Sequence, residues 1–308
     1  MSIFERIRRY LLEPSLSRAF CALTAEGVVV FDRRSRRSVF RPWTEAAFQP
    51  GLDTENVRRP EIFAEVLREA VQAVGLAGER RWSVLAPGAT ARMHVVTLDA
   101  AIPWQDTPEV LLWKAERLTG LDSSEVWMTT VELSRTVTGE RRFLMAVMSR
   151  RVALDLQAQL RRLNWRPGLL LPNLICEALW LRRATGCSDQ MLIRVEEDTL
   201  AVMLLREGAP VAIRMLPLAG EAPAEQLLRL LLFFREHAAE SGLPVEAGPL
   251  SFEVLAVNTP LEAVEIEQCV AETFGATPRL IEPRQLGFAS PTEFSRLAGV
   301  VGLALATA

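Results

Sequence analysis

The chain predicts a duplicated α/β architecture of two lobes, with a β-β-α-β-β-α block inserted after the first helix. Three observations predict it. A run of three short strands followed by a helix occurs near the start and again past the midpoint. Strand segments are short, apolar and bounded by turn residues, whereas the segments between them carry apolar residues at helical spacing. A length of 308 residues, at roughly 150 per domain, provides for about two domains.

The first lobe, 1–80, opens with strands predicted over 18–23, 27–31 and 38–41, separated by turns at 24–27 and 32–37. Pro60 starts a helix in which Ile62, Val66, Leu67, Ala70, Val71 and Val74 recur on one face, and Gly75 and Gly78 stop it. The inserted block, 81–166, holds strands at 82–86 and 93–98 joined through Pro87 and Gly88. A helix at 108–118 ends at Gly120, a hairpin follows at 126–133 and 143–148, and a helix at 152–163 is closed by Asn164 and Pro167.

The second lobe, 167–291, begins with a short strand at 169–171, a helix at 173–183 and a polar break at 185–189. Strands at 191–195, 200–205 and 210–216, with a turn at Glu207 and Gly208, repeat the opening pattern. A long helix at 223–240, a strand at 252–257, a helix at 261–274 and a short strand at 279–281 complete it. The last helix, within 292–308, is expected to rejoin the first lobe.

Composition narrows the function classes. Hydrophobic residues at 49% and charged residues at 24% exclude a disordered chain or a coiled coil. The most apolar stretches, 227–234 (interrupted by Arg229) and 297–306, fall short of the ~20 residues a membrane span needs. The start is arginine-rich without a continuous apolar run, so no signal peptide is expected. Cys21, Cys176, Cys187 and Cys269 lack CxxC spacing, which suits a reducing compartment and a cytoplasmic location. A net charge of −3 gives no general reason to hold nucleic acid. Ile3, Phe4, Ile7 and Leu11, interleaved with Arg6, Arg8 and Arg9, form an amphipathic basic stripe read as packing on the first lobe, with contact to anionic lipid as the alternative.

The repeated unit resembles the plan of the actin-like (ribonuclease H-like) ATPase superfamily, and within it the PilM proteins of type IV pilus assembly, close to the cell-division protein FtsA. Four stretches carry the resemblance. VLAPGATARM at 84–93 is similar to a Pro-Gly segment of the family's extra subdomain, and VLLWKAERL at 110–118 to the helix that follows it. LREGAPV at 205–211 with RMLPLAG at 214–220 is similar to the family's L-R-D-G-x-P-V…R-x-I-P-I-G-G hairpin. The tail LAGVVGLAL at 297–305 resembles its closing helix V-A-x-G-L-A-L.

The resemblance implies a nucleotide cleft, and the residues depart from it. Actin-like ATPases hold a triphosphate between two hairpin turns, each with a D-x-G. Glycine lets backbone N–H groups approach phosphate oxygens, and the aspartates handle metal and water. Here Cys21 stands at the first aspartate position and Leu23 at the glycine. Arg194 takes the second aspartate position, and Glu196 and Glu197 the Gly-Ala positions. Two carboxylates facing a triphosphate repel it, each charge pair by roughly 4 kcal/mol at ~4 Å and an effective dielectric of 20. The adenosine-side glycine turn is replaced by Val257, Asn258 and Thr259. The expectation is a pseudo-ATPase with no cofactor. The competing expectation is an active ATPase or kinase with a rewired pocket, in which Arg194 pairs with phosphate and Glu196 or Glu197 holds Mg²⁺.

His94 and His237 have no ligand-spaced partner, so no metal site is expected. No nucleophile elbow, zinc-protease or P-loop motif occurs. The PilM resemblance implies a structural adaptor that binds the cytoplasmic tail of a PilN-like single-span membrane protein in a groove between the first lobe and the inserted block. The expected groove contacts are Trp82, Val84, Met93, Val95 and Trp104. Membrane association would come only through that partner, and self-association stays open.

Overall fold

The computed structural model describes residues 17–136, 139–181, 189–196, 199–218, 220–237 and 252–305. The N-terminal stripe, Cys187, Glu197 and the end of the helix expected to reach 240 lie outside these residues.

Two five-stranded sheets carry the duplication. The first contains β1 (Ala19–Leu23), β2 (Gly27–Asp32), β3 (Arg37–Pro42), β4 (Arg81–Ala86) and β8 (Arg166–Pro172) in the order β3-β2-β1-β4-β8. The second contains β9 (Asp189–Glu196), β10 (Thr199–Arg206), β11 (Ala209–Pro217), β12 (Phe252–Val257) and β13 (Arg279–Leu280) in the order β11-β10-β9-β12-β13. In both, the three sequential strands pair antiparallel and the two later ones add in parallel. The same order and direction twice over is a two-lobed, actin-like arrangement.

Burial on both faces explains why β1 reads as a continuous apolar run rather than an alternating one. Cys21 and Leu23 pack with Phe63, Val66 and Leu67 of α1 (Pro60–Val74) and with Val152 and Leu156 of α3 (Arg150–Arg162). Phe20 and Ala22 on the opposite face meet Val300 and Leu303 of α7 (Pro291–Leu305). The second sheet buries one face against Leu227, Leu230, Leu231 and Phe234 of α5 (Pro223–Glu236), joined by Ile266 and Val270 of α6 (Ala263–Phe274). Leu227, Leu230 and Phe234 recur at helical spacing in a packed core, and no described helix is long and apolar enough to cross a membrane.

Two helices fill the space between the lobes: α4 (Asn173–Ala178) and α7. Their close approach depends on glycine. A Cβ at Gly302 would collide with the Cys176 carbonyl oxygen, and one at Gly299 would crowd Asn173 Oδ1. The Trp180 indole N–H donates to the Ala298 carbonyl at 2.8 Å and locks the pair. The final helix packs against residues of both sheets.

The inserted block is smaller than the sequence suggests. Its own sheet is β5 (Ala91–Leu98), β7 (Arg141–Ser149) and β6 (Val126–Glu132), in the order β5-β7-β6, with α2 (Thr107–Thr119) on one face. The strand expected to open the block is β4, which pairs parallel with β1. The helix expected to close it, α3, packs on the first sheet, and the strand assigned to the start of the second lobe is β8, at the first sheet's edge. Pro87 and Gly88 are therefore a crossing between sheets through the short 3-10 turn Gly88–Thr90, not a hairpin turn. Local sequence cannot separate a hairpin from a crossing, because both need only two extended runs and a turn between them.

Candidate functional site

Between the lobes, side chains of β9 and α4 form a buried charged group. Arg194 on β9 is 4% exposed and lies between two carboxylates. One is Glu177 of α4, 1% exposed, which accepts a close hydrogen bond from Arg194 Nη1. The other is Glu196, 6% exposed, whose Oε1 is 3.2 Å from Arg194 Nη2. Glu196 Oε2 then accepts the backbone N–H of Gly88 at 2.7 Å. Gly88 follows β4 in the first lobe and Glu196 ends β9 in the second, so this bond ties one lobe to the other.

A backbone N–H aimed into a cleft is an anion donor, and here a carboxylate of the same chain accepts it. A glycine suits the position because a Cβ there would come within 3.0 Å of Glu196 Oε2. Burial depresses the Arg194 pKa and the two carboxylates more than reverse that, so the guanidinium stays charged. Burial pushes the Glu177 carboxyl above its ordinary range, Arg194 pulls it back, and the charge on Glu196 pushes it up again.

The remaining expected site residues do different things. Cys21 and Leu23 are fully buried and point into the first-lobe core beside α1, not into the cleft. The Leu23 carbonyl accepts a bond from Asn173 Nδ2 at 3.4 Å, and burial raises the Cys21 thiol pKa far above its usual value, which leaves it unreactive. Val257 is buried in the interlobe core. Asn258 has φ +48°, the left-handed backbone that a glycine would supply in the family's turn. Its N–H donates to Ser295 Oγ at 3.1 Å and its Nδ2 to the Val195 carbonyl at 3.0 Å. Thr259 Oγ1 accepts the Leu261 N–H at 3.1 Å. Beside this turn lies a cavity of about 590 Å³ lined by Glu26, Asn258, Thr259, Pro283, Ser295 and Arg296.

The five expected partner contacts do not converge. Trp82 is buried and stacks on Trp165 with ring centroids 3.8 Å apart. Val84 and Met93 have no exposed surface, each packed inside a core. None of the three can meet a partner from solution, because β4 is central to its sheet and Met93 faces the second lobe. Val95 lines a cleft of about 610 Å³ against β11 and α5. Trp104 is 68% exposed, its ring 4.6 Å from the Arg141 guanidinium carbon.

A groove between the first lobe and the inserted unit does exist, with other walls. It holds about 280 Å³ and is lined by Trp127 and Thr129 of β6, Ala146 and Met148 of β7, and residues 167–172 of β8. Of the seven large apolar side chains exposed among the described residues, Trp104, Trp113, Leu118, Trp127 and Val131 sit on the inserted unit, and Leu154 and Val264 lie elsewhere. The exposed β6 face follows from the sheet geometry. Val126 and Met128 pack toward α2, so Trp127, Thr129 and Val131 point the other way, past the end of what β8 and α3 cover.

Sequence reasoning missed Glu177, Gly88 as a donor, and the β8 wall. Glu177 had a signal: a lone acid inside the apolar run NLICEALW, where a buried charge needs a partner.

No protein-family model matches the chain, and no curated protein matches it in sequence. Solved structures do match in fold. The chain is similar to one in a PilM–PilN type IV pilus biogenesis complex, with TM-score 0.65 and 16% identity over 95% of this chain and 99% of that one. A Bacteroides thetaiotaomicron protein of actin-like ATPase fold and unknown function gives TM-score 0.55 and 8% identity, over 99% of each chain. The cytoplasmic domain of EpsL, an inner-membrane component of the Vibrio cholerae type II secretion system, gives 0.53 and 11%, over 92% of this chain and 94% of that one. At these identities the likeness is one of fold, and that fold is actin-like.

Proposed function

We propose that the protein is a cytoplasmic adaptor of a type IV pilus or related secretion machine, an actin-like scaffold that works without nucleotide. The observation that carries this reading is the Glu196 carboxylate on the Gly88 N–H, backed by Arg194 and Glu177. An ATP phosphate entering there would have to displace a buried carboxylate that is already hydrogen-bonded. It would also meet the negative charge of two glutamates with only one arginine between them.

In this reading the partner is the cytoplasmic tail of a PilN-like single-span protein of the inner membrane, which alone recruits the chain to that membrane. The tail occupies the groove between β6 and β8. Support comes from the groove's apolar lining, from the concentration of exposed apolar side chains on the inserted unit, and from the likeness in fold to a chain of the PilM–PilN complex. Burying a few apolar side chains there gives a contact whose affinity is set by packing.

The competing reading is a working ATPase or kinase, and the cavity of about 590 Å³ beside Asn258 is the feature in its favour. Titration with a fluorescent ATP analogue and Mg²⁺ separates the two. Absence of saturable binding up to millimolar nucleotide is expected, and micromolar binding abolished by a large side chain at Ser295 would establish the alternative.

A further inference from the structure

The apolar groove does not end at β8. It runs on, through the shared residues Gln157 and Pro167, into a polar cleft of about 540 Å³. That cleft is lined by Arg80, Arg161, Arg166, Asn164 and Trp165 together with Gln157 and Pro167, and no carboxylate is among them. Arg80, Arg161 and Arg166 are exposed and, like most of the described arginines, make no ion pair among the described residues; what sets them apart is that they line one cleft together. Three guanidinium groups on one cleft form a positive patch that complements an anion.

The walls also set the shape of an occupant. β8 is the last strand of its sheet, so one sheet edge borders the groove, and the face of the β5-β7-β6 sheet that carries Trp127, Thr129, Ala146 and Met148 covers it. An edge offers unpaired N–H and C=O groups to an extended chain. On β8 the interior of that edge is open, while Pro167 and Pro172, which lack N–H groups, bracket it. From Gly168 to Pro172 the strand covers about five residues, or roughly 15 Å.

Resting on the adaptor reading above, we infer that the segment this groove accepts is extended and has two parts. Apolar side chains cover the Trp127–β8 stretch, and one or more acidic residues follow within about four to six positions, over Arg161 and Arg166. The carboxylates select the segment, and its direction, among apolar tails that would otherwise fit equally well. An anionic lipid headgroup could also pair with arginine, but the arginine cleft opens from an apolar groove between the β8 edge and a sheet face, which matches a peptide backbone and not a membrane plane.

Three fluorescein-labelled peptides test this by anisotropy. Each carries six residues alternating leucine and serine, followed by four glutamates, four serines or four lysines. The glutamate peptide is expected to bind about tenfold more tightly than the serine peptide, with the lysine peptide weakest. Double substitution Arg161→Glu and Arg166→Glu is expected to abolish that order. Thr129→Trp, which fills the apolar groove from an exposed edge strand, is expected to weaken all three. Equal binding of glutamate and serine peptides, both weakened by Thr129→Trp, would overturn the acidic selection and leave the groove reading standing. Binding of none of them would remove the groove reading and this inference together. Retention on phosphatidylglycerol vesicles lost in the Arg161/Arg166 variant, with no discrimination among peptides, would assign the arginines to lipid instead.

Discussion

Replacing Arg194 with methionine tests the account of the cleft most directly. Methionine keeps much of the side-chain volume and removes the charge, leaving Glu177 and Glu196 buried with no cation between them. The variant can stay folded by taking up a proton. Keeping one glutamate neutral at pH 7.5, against an unfolded pKa near 4.3, costs about 4 kcal/mol, and at pH 5 only about 1 kcal/mol. The sign follows from the direction of the shift. A carboxyl whose folded pKa is raised holds more protons folded than unfolded, so stability declines as pH rises above about 4.3. Removing the cation from a buried ion pair costs about 3–5 kcal/mol at neutral pH, in line with that figure. Urea unfolding of wild type and Arg194→Met at pH 5.0 and 7.5 reads the difference as a shift in midpoint. The loss is expected to be at least twofold larger at pH 7.5, and Arg194→Met combined with Glu177→Gln should recover most of it. A penalty independent of pH, or no penalty at pH 7.5, would refute the claim that these carboxylates are held in the cleft by one arginine.

Three other outcomes are expected. Trp82→Ala should lower stability by about 3–5 kcal/mol in thermal or urea unfolding, because Trp82 is a stacked core residue; a variant of unchanged stability would mean that the ring is not packed. Gly302→Ala should cost at least about 1–3 kcal/mol and loosen α7 from α4, read as faster amide exchange in both helices, since its Cβ meets the Cys176 carbonyl. Burial, then the charges of Arg214 and Arg92, lower the His94 pKa from 6.5 to about 4, so the folded state resists its protonation. Stability contributed by neutral His94 is present above pH 6.5 and lost as pH falls toward 4. His94→Gln should therefore flatten the acid side of the stability profile, and an unchanged profile would show that His94 titrates normally.

The elements themselves were legible in the sequence because their causes are local. Pro60, the apolar face through Val74 and the left-handed Gly75 define α1, and Gly120 in the same conformation ends α2. The repeat of three strands and a helix was readable for the same reason. Which strands pair was not readable: β4 lies in the first sheet because it buries apolar surface beside β1, and β8 adds at the edge beyond it, which depends on residues far along the chain. Hence Trp82 and Val84 looked available as contacts and proved to be core. The cleft shows the same limit. Glu177, Arg194, Glu196 and Gly88 come from a helix, a strand and a turn far apart in the chain, and only folding brings an acid from an apolar helix against an arginine of β9. Sequence determined that an arginine and a glutamate stand two residues apart at the end of β9, while tertiary structure alone decided that this glutamate of the second lobe would take a backbone N–H of the first.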